Sequence, residues 1–335
     1  MELRFYIYYN GGAAVLYSPQ FNITWTSYRG SVRIYGDNRY ETAGLIADRK
    51  LFAEGKDKYD HVIIASGLDF ADALGGSYLA KAADAPMLLV NKDPAVMKDT
   101  AQDIAARLKD DGFVFILGGT GAVSEDMETE LKAAGLTHIK RFAGKNRYDT
   151  NLQIIEFCNQ YSYVDHRQMI ICSGRNFADA LSASATGYPI MLVGDTLNDD
   201  QFAYFMEDQP YIVIAGGTGA VSEAVEEELF KGFELKGWRL EGKDRYETSN
   251  LVAEYFFPHQ PYNAVLAYGR NFPDGLSGGP LAQTVSGPLL LVDDNHYMDA
   301  EDYVNRHDPR EYYVLGGPAL ISDATVTRIM ERSDF

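Results

Sequence analysis

Cysteine is scarce in this sequence, which has Cys158 and Cys172 as its two examples among 335 residues. Both lie in the middle third of the chain, and two residues cannot supply a disulfide framework or the ligand spacing of a zinc site. We therefore expect two small buried thiols that act as part of the hydrophobic core.

Basic residues are also in short supply. Lys and Arg total 30 against 48 Asp and Glu, which gives a formal net charge of −18. A nucleic-acid-binding protein needs a basic surface to displace counterions from phosphates, and no dense Lys/Arg stretch occurs. We expect no nucleic-acid partner, and any anionic ligand requires cationic side chains gathered at a local site.

Long apolar stretches are absent too. No run of 18 apolar residues occurs, so we expect no membrane insertion. The segment from Met1 to Tyr9 lacks a basic region followed by a long apolar stretch, so it does not read as a signal peptide. Either the protein is cytosolic, or it is exported and its signal has been removed.

Catalytic and cofactor motifs are missing as well. The six histidines form no i, i+4 pair and no His-Glu-x-x-His, and no Gly-x-Ser-x-Gly occurs. Gly-Gly turns resemble phosphate cradles, but no Lys-Ser/Thr follows them and no dinucleotide fingerprint appears. The acidic loop Asp195–Asp200 lacks EF-hand spacing. We expect no catalytic residue, no metal and no cofactor.

What the sequence does contain is one pattern of about a hundred residues, present three times. Four blocks recur in the same order in every copy, which chance does not produce. The blocks are Arg-x-x-Gly-x-(Asp/Asn)-Arg-Tyr-(Glu/Asp)-Thr at 33–42, 141–150 and 239–248, Gly-x-(Asp/Asn)-Phe-x-Asp-x-Leu at 67–74, 174–181 and 269–276, Pro-x-x-Leu-Val at 86–90, 189–193 and 288–292, and Gly-Gly-Thr-Gly-Ala-Val-Ser at 118–124 and 216–222 with Gly-Gly-Pro-Ala-Leu-Ile-Ser at 316–322.

Hydrophobic periodicity assigns an α/β fold to each copy. The continuous apolar runs 61–66, 87–90 and 113–118 are typical of strands buried on both faces of a parallel sheet. Residues 97–108 place apolar side chains on one face of a helix. Ser124, Ser222 and Ser322 follow Gly-containing turns and are expected helix N-caps. Residues 1–30 stand outside the pattern and predict a β appendage with a turn at Gly11-Gly12.

The four blocks together resemble the cell wall binding repeat type 2 of Gram-positive surface proteins, which is typically found as three tandem modules. The resemblance covers residues 31–335. It implies three tandem Rossmann-like or toprim-like modules with small parallel sheets, packed with pseudo-threefold symmetry. We expect an N-terminal β appendage at 1–30 and repeats at 31–138, 139–236 and 237–335.

The resemblance also implies a function. It predicts non-covalent, non-catalytic anchoring of a surface protein to the cell wall through an anionic secondary polymer, either a polysaccharide or a teichoic-acid-like chain. The implied location is extracellular, in the wall, with the export signal removed. Two alternatives stay open: an enzyme acting on a phosphorylated or nucleotide substrate, and a surface-layer component whose repeated blocks serve only module packing.

Candidate binding residues come from the repeated blocks. A guanidinium fork matches phosphate or carboxylate, and an adjacent ring can stack on a sugar. The candidates are the pairs Arg39-Tyr40, Arg147-Tyr148 and Arg245-Tyr246, the aspartates Asp72, Asp179 and Asp274, and the arginines Arg175 and Arg270. The Arg-Tyr pairs could instead lock one module to the next, and the aspartates could pair with those arginines or cap helices. Because the first copy has Leu68 in place of Arg175 and Arg270, we expect non-equivalent sites.

Overall fold

The computed structural model describes residues 29–160 and 165–331 in full, together with the backbone of three strands that precede them. These strands are β1 (Arg4–Tyr9), β2 (Gly12–Tyr17) and β3 (Thr24–Ser27). They form an antiparallel sheet in the order β1-β2-β3, which confirms the β appendage. Gly12 begins β2 opposite Tyr9, whereas Gly11 lies outside the described residues.

The first repeat builds a small parallel sheet flanked by helices. The chain runs through β4 (Gly30–Ile34), α1 (Arg39–Glu54), β5 (Tyr59–Ser66), α2 (Gly76–Ala83), β6 (Met87–Val90), α3 (Pro94–Arg107), β7 (Leu108–Leu117), α4 (Glu125–Ala133) and β8 (Ile139–Phe142). The sheet has the order β6-β5-β7-β8 with all strands parallel. Strand β6 is buried along its whole length, as its continuous apolar run predicts. We call this sheet and helices α1–α4 module 1.

Module 2 repeats the arrangement with the sheet order β10-β9-β11-β12. Its elements are α5 (Arg147–Asn159), β9 (Gln168–Ser173), α6 (Ala178–Ser184), β10 (Ile190–Val193), α7 (Asp199–Glu207), β11 (Tyr211–Ala215), α8 (Glu223–Glu227), a π-helical turn (Glu228–Gly232) and β12 (Gly237–Leu240). Cys158 and Cys172 are unpaired and buried here, as expected. Burial raises the pKa of the Cys158 thiol to about 12, so it stays protonated at neutral pH.

Module 3 completes its sheet with a strand from the other end of the repeat region. Its elements are α9 (Arg245–Phe256), β13 (Asn263–Tyr268), α10 (Pro273–Val285), β14 (Leu289–Val292), α11 (Met298–His307), β15 (Glu311–Leu315) and α12 (Asp323–Met330). The sheet order is β14-β13-β15-β4, and β4 pairs in parallel with β15. In all three sheets, therefore, the fourth strand is the one that leads into the first helix of the next module in the cycle.

Helix packing follows the same cycle. Helix α5 packs against α2 of module 1, α9 against α6 of module 2, and α1 against α10 of module 3. Helix α10 also contacts both α2 and α6. These contacts arrange three α/β modules with pseudo-threefold symmetry, which confirms the expected fold class. Within the described part of the chain, no helix is long and apolar enough to cross a membrane.

The predicted serine caps are realised in two of the three copies. The hydroxyl oxygen of Ser222 accepts the backbone N–H of Val225, and that of Ser322 accepts the backbone N–H of Thr325, both at 3.2 Å. Ser124 precedes α4 in the same extended conformation, but its side chain makes no capping hydrogen bond. Its hydroxyl instead points to Met97 Sδ at 3.3 Å.

Candidate ligand-binding site at the module junctions

The first helix of every module begins at the arginine of an Arg-Tyr pair. In α5 the side-chain oxygen of Asn146 accepts the backbone N–H groups of Tyr148 at 2.9 Å and Asp149 at 3.1 Å. This N-cap fixes Arg147 as the first helical residue. A Cβ at Gly144, in the preceding turn, would lie 2.4 Å from the Asp149 Cβ, so the turn requires glycine. The equivalent caps are Asn38 in α1 and Asp244 in α9.

Each of these arginines is held by a backbone carbonyl of its own module. The Nη1 group donates to the glycine that directly follows strand β5, β9 or β13. The pairs are Arg39 with Gly67, Arg147 with Gly174 at 2.6 Å, and Arg245 with Gly269 at 2.8 Å. Among residues 29–160 and 165–331, no carboxylate forms an ion pair with any of the three. Most of their five N–H donors therefore lack a protein partner in the described structure.

The same guanidinium groups lie over aromatic rings of the preceding module. The distances from Cζ to the ring centroid are 5.9 Å for Arg39 over Phe272, 5.7 Å for Arg147 over Phe70 and 5.3 Å for Arg245 over Phe177. This range is typical of cation–π contacts. The three phenylalanine rings also contact one another, with centroids 5.6 to 6.0 Å apart. The rings therefore lie on the pseudo-threefold axis, with the three arginines around them.

The three predicted aspartates lie next to this arginine ring. Each faces the arginine of the following module in the cycle: Asp72 faces Arg147, Asp179 faces Arg245, and Asp274 faces Arg39. Burial raises the pKa of all three carboxyl groups, and that of Asp179 reaches about 6. The charge of the facing arginine opposes the rise in each case. The junctions thus hold one buried and two half-buried carboxyl groups that are more easily protonated than exposed ones.

Close packing of these carboxylates explains the first glycine of each repeated Gly-Gly turn. The Oδ2 atom of Asp179 lies 2.5 Å from the point that a Cβ on Gly216 would occupy, and Gly216 has a φ of +109°. A side chain there would clash and would strain the backbone. The turn after the strand therefore serves the packing of the aspartate.

The predicted tyrosines pack against the glycines that bind the arginines. A Cβ on Gly174 would lie 2.4 Å from Tyr148 Cε1, and a Cβ on Gly269 would lie 2.4 Å from Tyr246 Cε1. Tyr246 is buried, whereas Tyr148 and Tyr40 are half-buried. The Tyr246 hydroxyl donates to Asp293. The three rings occupy equivalent places, but their hydroxyl groups differ in environment.

Arg175 and Arg270 lie beside these tyrosines, and each pairs with a carboxylate of its own module. Arg175 Nη1 donates to Asp195 at 2.8 Å, and Arg270 Nε donates to Asp293 at 2.7 Å. Both arginine side chains are about half exposed. Leu68, at the equivalent place in module 1, is 63% exposed, so the three junctions differ in charge.

The candidate binding residues do not line the groove on the surface of module 2. A groove of about 840 Å³ in module 2 runs past residues of α5 and α7, and none of the candidate residues lines it. Within the described ranges, no group of three or more His, Cys, Asp or Glu side chains is placed to hold a metal ion.

Two sets of junction residues were not assigned a role from the sequence. Phe70, Phe177 and Phe272 recur at one position of the second block, and that recurrence was the available signal. A second set begins the first block and clamps each edge strand. Arg141 donates to the Gly118 carbonyl and Glu128, Arg239 to the Gly216 carbonyl and Glu226, and Arg33 to the Gly316 carbonyl and Asp323.

The fold is therefore three α/β modules around one axis, and each module presents an arginine, a tyrosine and a phenylalanine at a junction. The chain belongs to the family Cell wall binding domain 2 (CWB2), which matches residues 33–128, 141–226 and 239–326. Membership in this family makes it a cell-wall-binding region of the Gram-positive cell-surface type.

Two curated relatives share this region. N-acetylmuramoyl-L-alanine amidase LytC of Bacillus subtilis is 27% identical over 305 residues, which is 89% of this chain and 57% of that protein. The amidase enhancer of the same organism is 31% identical over 293 residues, which is 85% of this chain and 38% of that protein. The chain therefore spans a little over half of one relative and less than half of the other.

Solved structures show the same fold. Cwp8 from Clostridium difficile superposes with a TM-score of 0.79 and 24% identity, covering 89% of this chain and 51% of that chain. Cwp6 from the same organism also gives a TM-score of 0.79, with 22% identity, and covers 94% of this chain and 50% of that chain.

Proposed function

We propose that this region anchors a surface protein to the cell wall without a covalent bond, by binding an anionic secondary wall polymer. The ligand is a polysaccharide or a teichoic-acid-like chain. The observation that carries the proposal is the ring of Arg39, Arg147 and Arg245, whose guanidinium donors are largely unused within the described structure.

Charge supports the choice of ligand. The protein carries a net charge of −18, so a polyanion is repelled by most of its surface. The junctions concentrate three arginines, with Arg175 and Arg270 beside two of them. Guanidinium groups bind phosphate and carboxylate with two parallel hydrogen bonds, and the neighbouring aromatic rings suit the apolar face of a sugar. Repetition around an axis gives several weak contacts to one chain, which raises avidity.

Non-catalytic binding fits this arrangement better than enzymatic turnover. The same residue types recur at all three junctions, whereas an active site needs one asymmetric set of groups in one pocket. The raised pKa values belong to aspartates that are packed against glycine backbone rather than exposed to a substrate cleft.

Single substitutions separate ligand binding from module packing. We expect Arg39→Ala, Arg147→Ala and Arg245→Ala each to weaken binding to purified Gram-positive cell walls at least tenfold, with Tm within a few degrees of the parent protein. Arg167→Ala removes the same charge from a side chain that is 87% exposed, and it should leave binding unchanged. Lower Tm with unaltered wall affinity of the folded protein would overturn the proposal and assign these arginines to packing alone.

A further inference from the structure

The three modules differ at one position beside the Arg-Tyr sites. Strands β6, β10 and β14 each end in a valine whose carbonyl accepts the N–H of the arginine-binding glycine. The contacts are Gly67 to Val90 at 2.8 Å, Gly174 to Val193 at 2.9 Å and Gly269 to Val292 at 3.0 Å. The same glycine-to-valine backbone hydrogen bond, which we call the frame, therefore occurs in all three modules. The residue that follows the valine is Asn91 in module 1, Gly194 in module 2 and Asp293 in module 3.

In module 3 the side chain at this position is a carboxylate surrounded by donors. Asp293 is 2% exposed and accepts the Tyr246 hydroxyl and Arg270 Nε, the latter at 2.7 Å. It also accepts the backbone N–H groups of Asn295 at 2.7 Å and His296 at 3.0 Å, and His296 Nδ1 lies 2.9 Å away. These contacts hold its pKa well below the usual range, despite the opposing effect of burial. The frame in module 3 is thus an anion site that the protein fills itself.

Module 2 keeps the tyrosine and the arginine but lacks the carboxylate. Tyr148 packs on Gly174 as Tyr246 packs on its glycine, and its hydroxyl oxygen lies 3.5 Å from the point that a Cβ on Gly194 would occupy. Within the described structure, no residue accepts a hydrogen bond from the Tyr148 hydroxyl or donates one to it. Arg175 directly follows Gly174 and interacts electrostatically with Tyr148. Gly194 and Tyr148 are partly exposed, so the space between them is accessible.

Module 1 does not offer the same combination. Leu68 replaces the arginine, so the site lacks the second cation. Asn91 has a side chain where module 2 has glycine, and its Oδ1 accepts the backbone N–H of Asp93 at 2.8 Å. The space and the two donors occur together in module 2.

We infer that the space over Gly194 binds one anionic group of the wall polymer, a phosphate or a carboxylate, between the Tyr148 hydroxyl and the Arg175 guanidinium. The group takes the place that Asp293 fills in module 3. Arg175 is now paired with Asp195, but both partners are more than half exposed at 52% and 75%. An exposed, solvent-screened ion pair of this kind contributes little to stability, so the guanidinium can turn to a ligand at little cost. The inference rests on the proposed wall binding and assigns one contact of it.

The direct test is to give module 2 the carboxylate of module 3. Gly194→Asp should weaken binding to purified cell walls at least tenfold, because the new side chain takes the Tyr148 hydroxyl and Arg175. The fold should survive, since the nearest atom to the added Cβ is the Tyr148 hydroxyl oxygen at 3.5 Å. Gly219→Asp adds the same charge at an exposed glycine of module 2, where an added Cβ would meet no atom within 4 Å, and it should change the affinity less than twofold. Equal losses in the two variants, or no loss in Gly194→Asp, would overturn the assignment.

A second variant acts in the opposite direction. Asp195→Asn removes the competitor for Arg175 and should tighten wall binding several-fold, and an unchanged or weaker affinity would count against the site. If the parent protein fails to bind walls at all, the proposed function itself fails, which is a different result from normal binding that Gly194→Asp leaves intact.

The chemistry of the bound group is resolved by treating the walls. Hydrofluoric acid cleaves phosphodiesters, and carbodiimide amidation neutralises carboxylates. Loss of the difference between the parent protein and Gly194→Asp after amidation, with the parent protein still retained by the walls, identifies a carboxylate, and loss only after hydrofluoric acid identifies a phosphate. A difference that survives both treatments contradicts an anionic ligand at this position.

Discussion

Asp179 is the most buried of the three junction aspartates, with 7% of its surface exposed. Burial raises its pKa from the usual 3.8 to about 6, against the opposing charge of Arg245. The folded protein therefore holds this proton more tightly than the unfolded chain does. Ionisation of Asp179 lowers the free energy of unfolding as the pH rises from about 4 to above 6.

Asp179→Asn should remove this pH-dependent cost. At pH 7.5 we expect the variant to unfold with a free energy higher than that of the parent protein by up to about 3 kcal/mol, and near pH 4 the two should converge. Urea unfolding at several pH values measures the difference. Asp57→Asn, at an exposed position, is the charge control and should follow the parent curve. An Asp179→Asn curve that is offset equally at every pH would contradict the assigned cause.

The arginines at the module junctions could be found from the sequence. Arg39, Arg147 and Arg245 stood out because they recur in the longest repeated block, and the structure places them around one axis. Phe70 and its two equivalents recur just as regularly, but an apolar side chain between a strand and a helix usually enters the core of its own module. The sequence does not show which side chains meet across modules. Gly194 could not be singled out for another reason: it matters only because modules 1 and 3 have Asn91 and Asp293 at the same position.

The fourth strand of each sheet, at the edge opposite β6, β10 or β14, connects neighbouring modules. Strands β8 and β12 complete the sheets of modules 1 and 2 and lead directly into α5 and α9. Strand β4 performs the same task for module 3 from 281 residues away in sequence, since Gly30 pairs with Glu311. One arginine on each edge strand clamps it to a glycine carbonyl and to an acidic residue of the last helix of the module.

The three clamps should differ in strength according to burial. Arg239 is 9% exposed and its partner Glu226 is 30% exposed, whereas Arg33 pairs with Asp323, which is 84% exposed. We expect Arg239→Ala to lower the free energy of unfolding by about 2–3 kcal/mol and Arg33→Ala by about 1 kcal/mol, because exposed ion pairs contribute little. Chemical denaturation of both variants measures the ranking. A larger loss for Arg33→Ala would show that closure by β4 depends on this clamp.

Most of the elements themselves could be predicted from the sequence. The run at 87–90 is a buried strand with those bounds, and the helical pattern at 97–108 corresponds to α3. The sheet that each of β4, β8 and β12 joins could not be predicted, because the three strands have similar patterns. Each could pair with the sheet formed by the preceding strands of the chain or with the sheet formed by the following ones. Tertiary packing of the following helix decides that choice.

At the scale of the whole molecule, the repeat region is a closed cycle rather than a row of three domains. Helix α1 packs on α10 and β4 pairs with β15, so the first and third modules share contacts like those of the other junctions. The symmetry is incomplete. Gln283 Nε2 donates to the carbonyl oxygens of Ser77 at 2.9 Å and Ser184 at 2.7 Å, so one side chain joins all three modules.

Closure gives the candidate binding residues a fixed geometry. Each Arg-Tyr pair is positioned by one module and faces the phenylalanine and aspartate of another, so no module presents a complete site alone. We therefore expect the junctions to act together on a single polymer chain, with unequal contributions because their neighbouring residues differ.

The most direct test of this account is sedimentation of the purified protein with Gram-positive cell walls, before and after chemical removal of the secondary wall polymers. We predict that the protein pellets with intact walls, that added salt weakens the binding by screening the arginines, and that stripped walls no longer retain it. Undiminished binding to walls that lack these polymers would contradict anchoring through a secondary wall polymer.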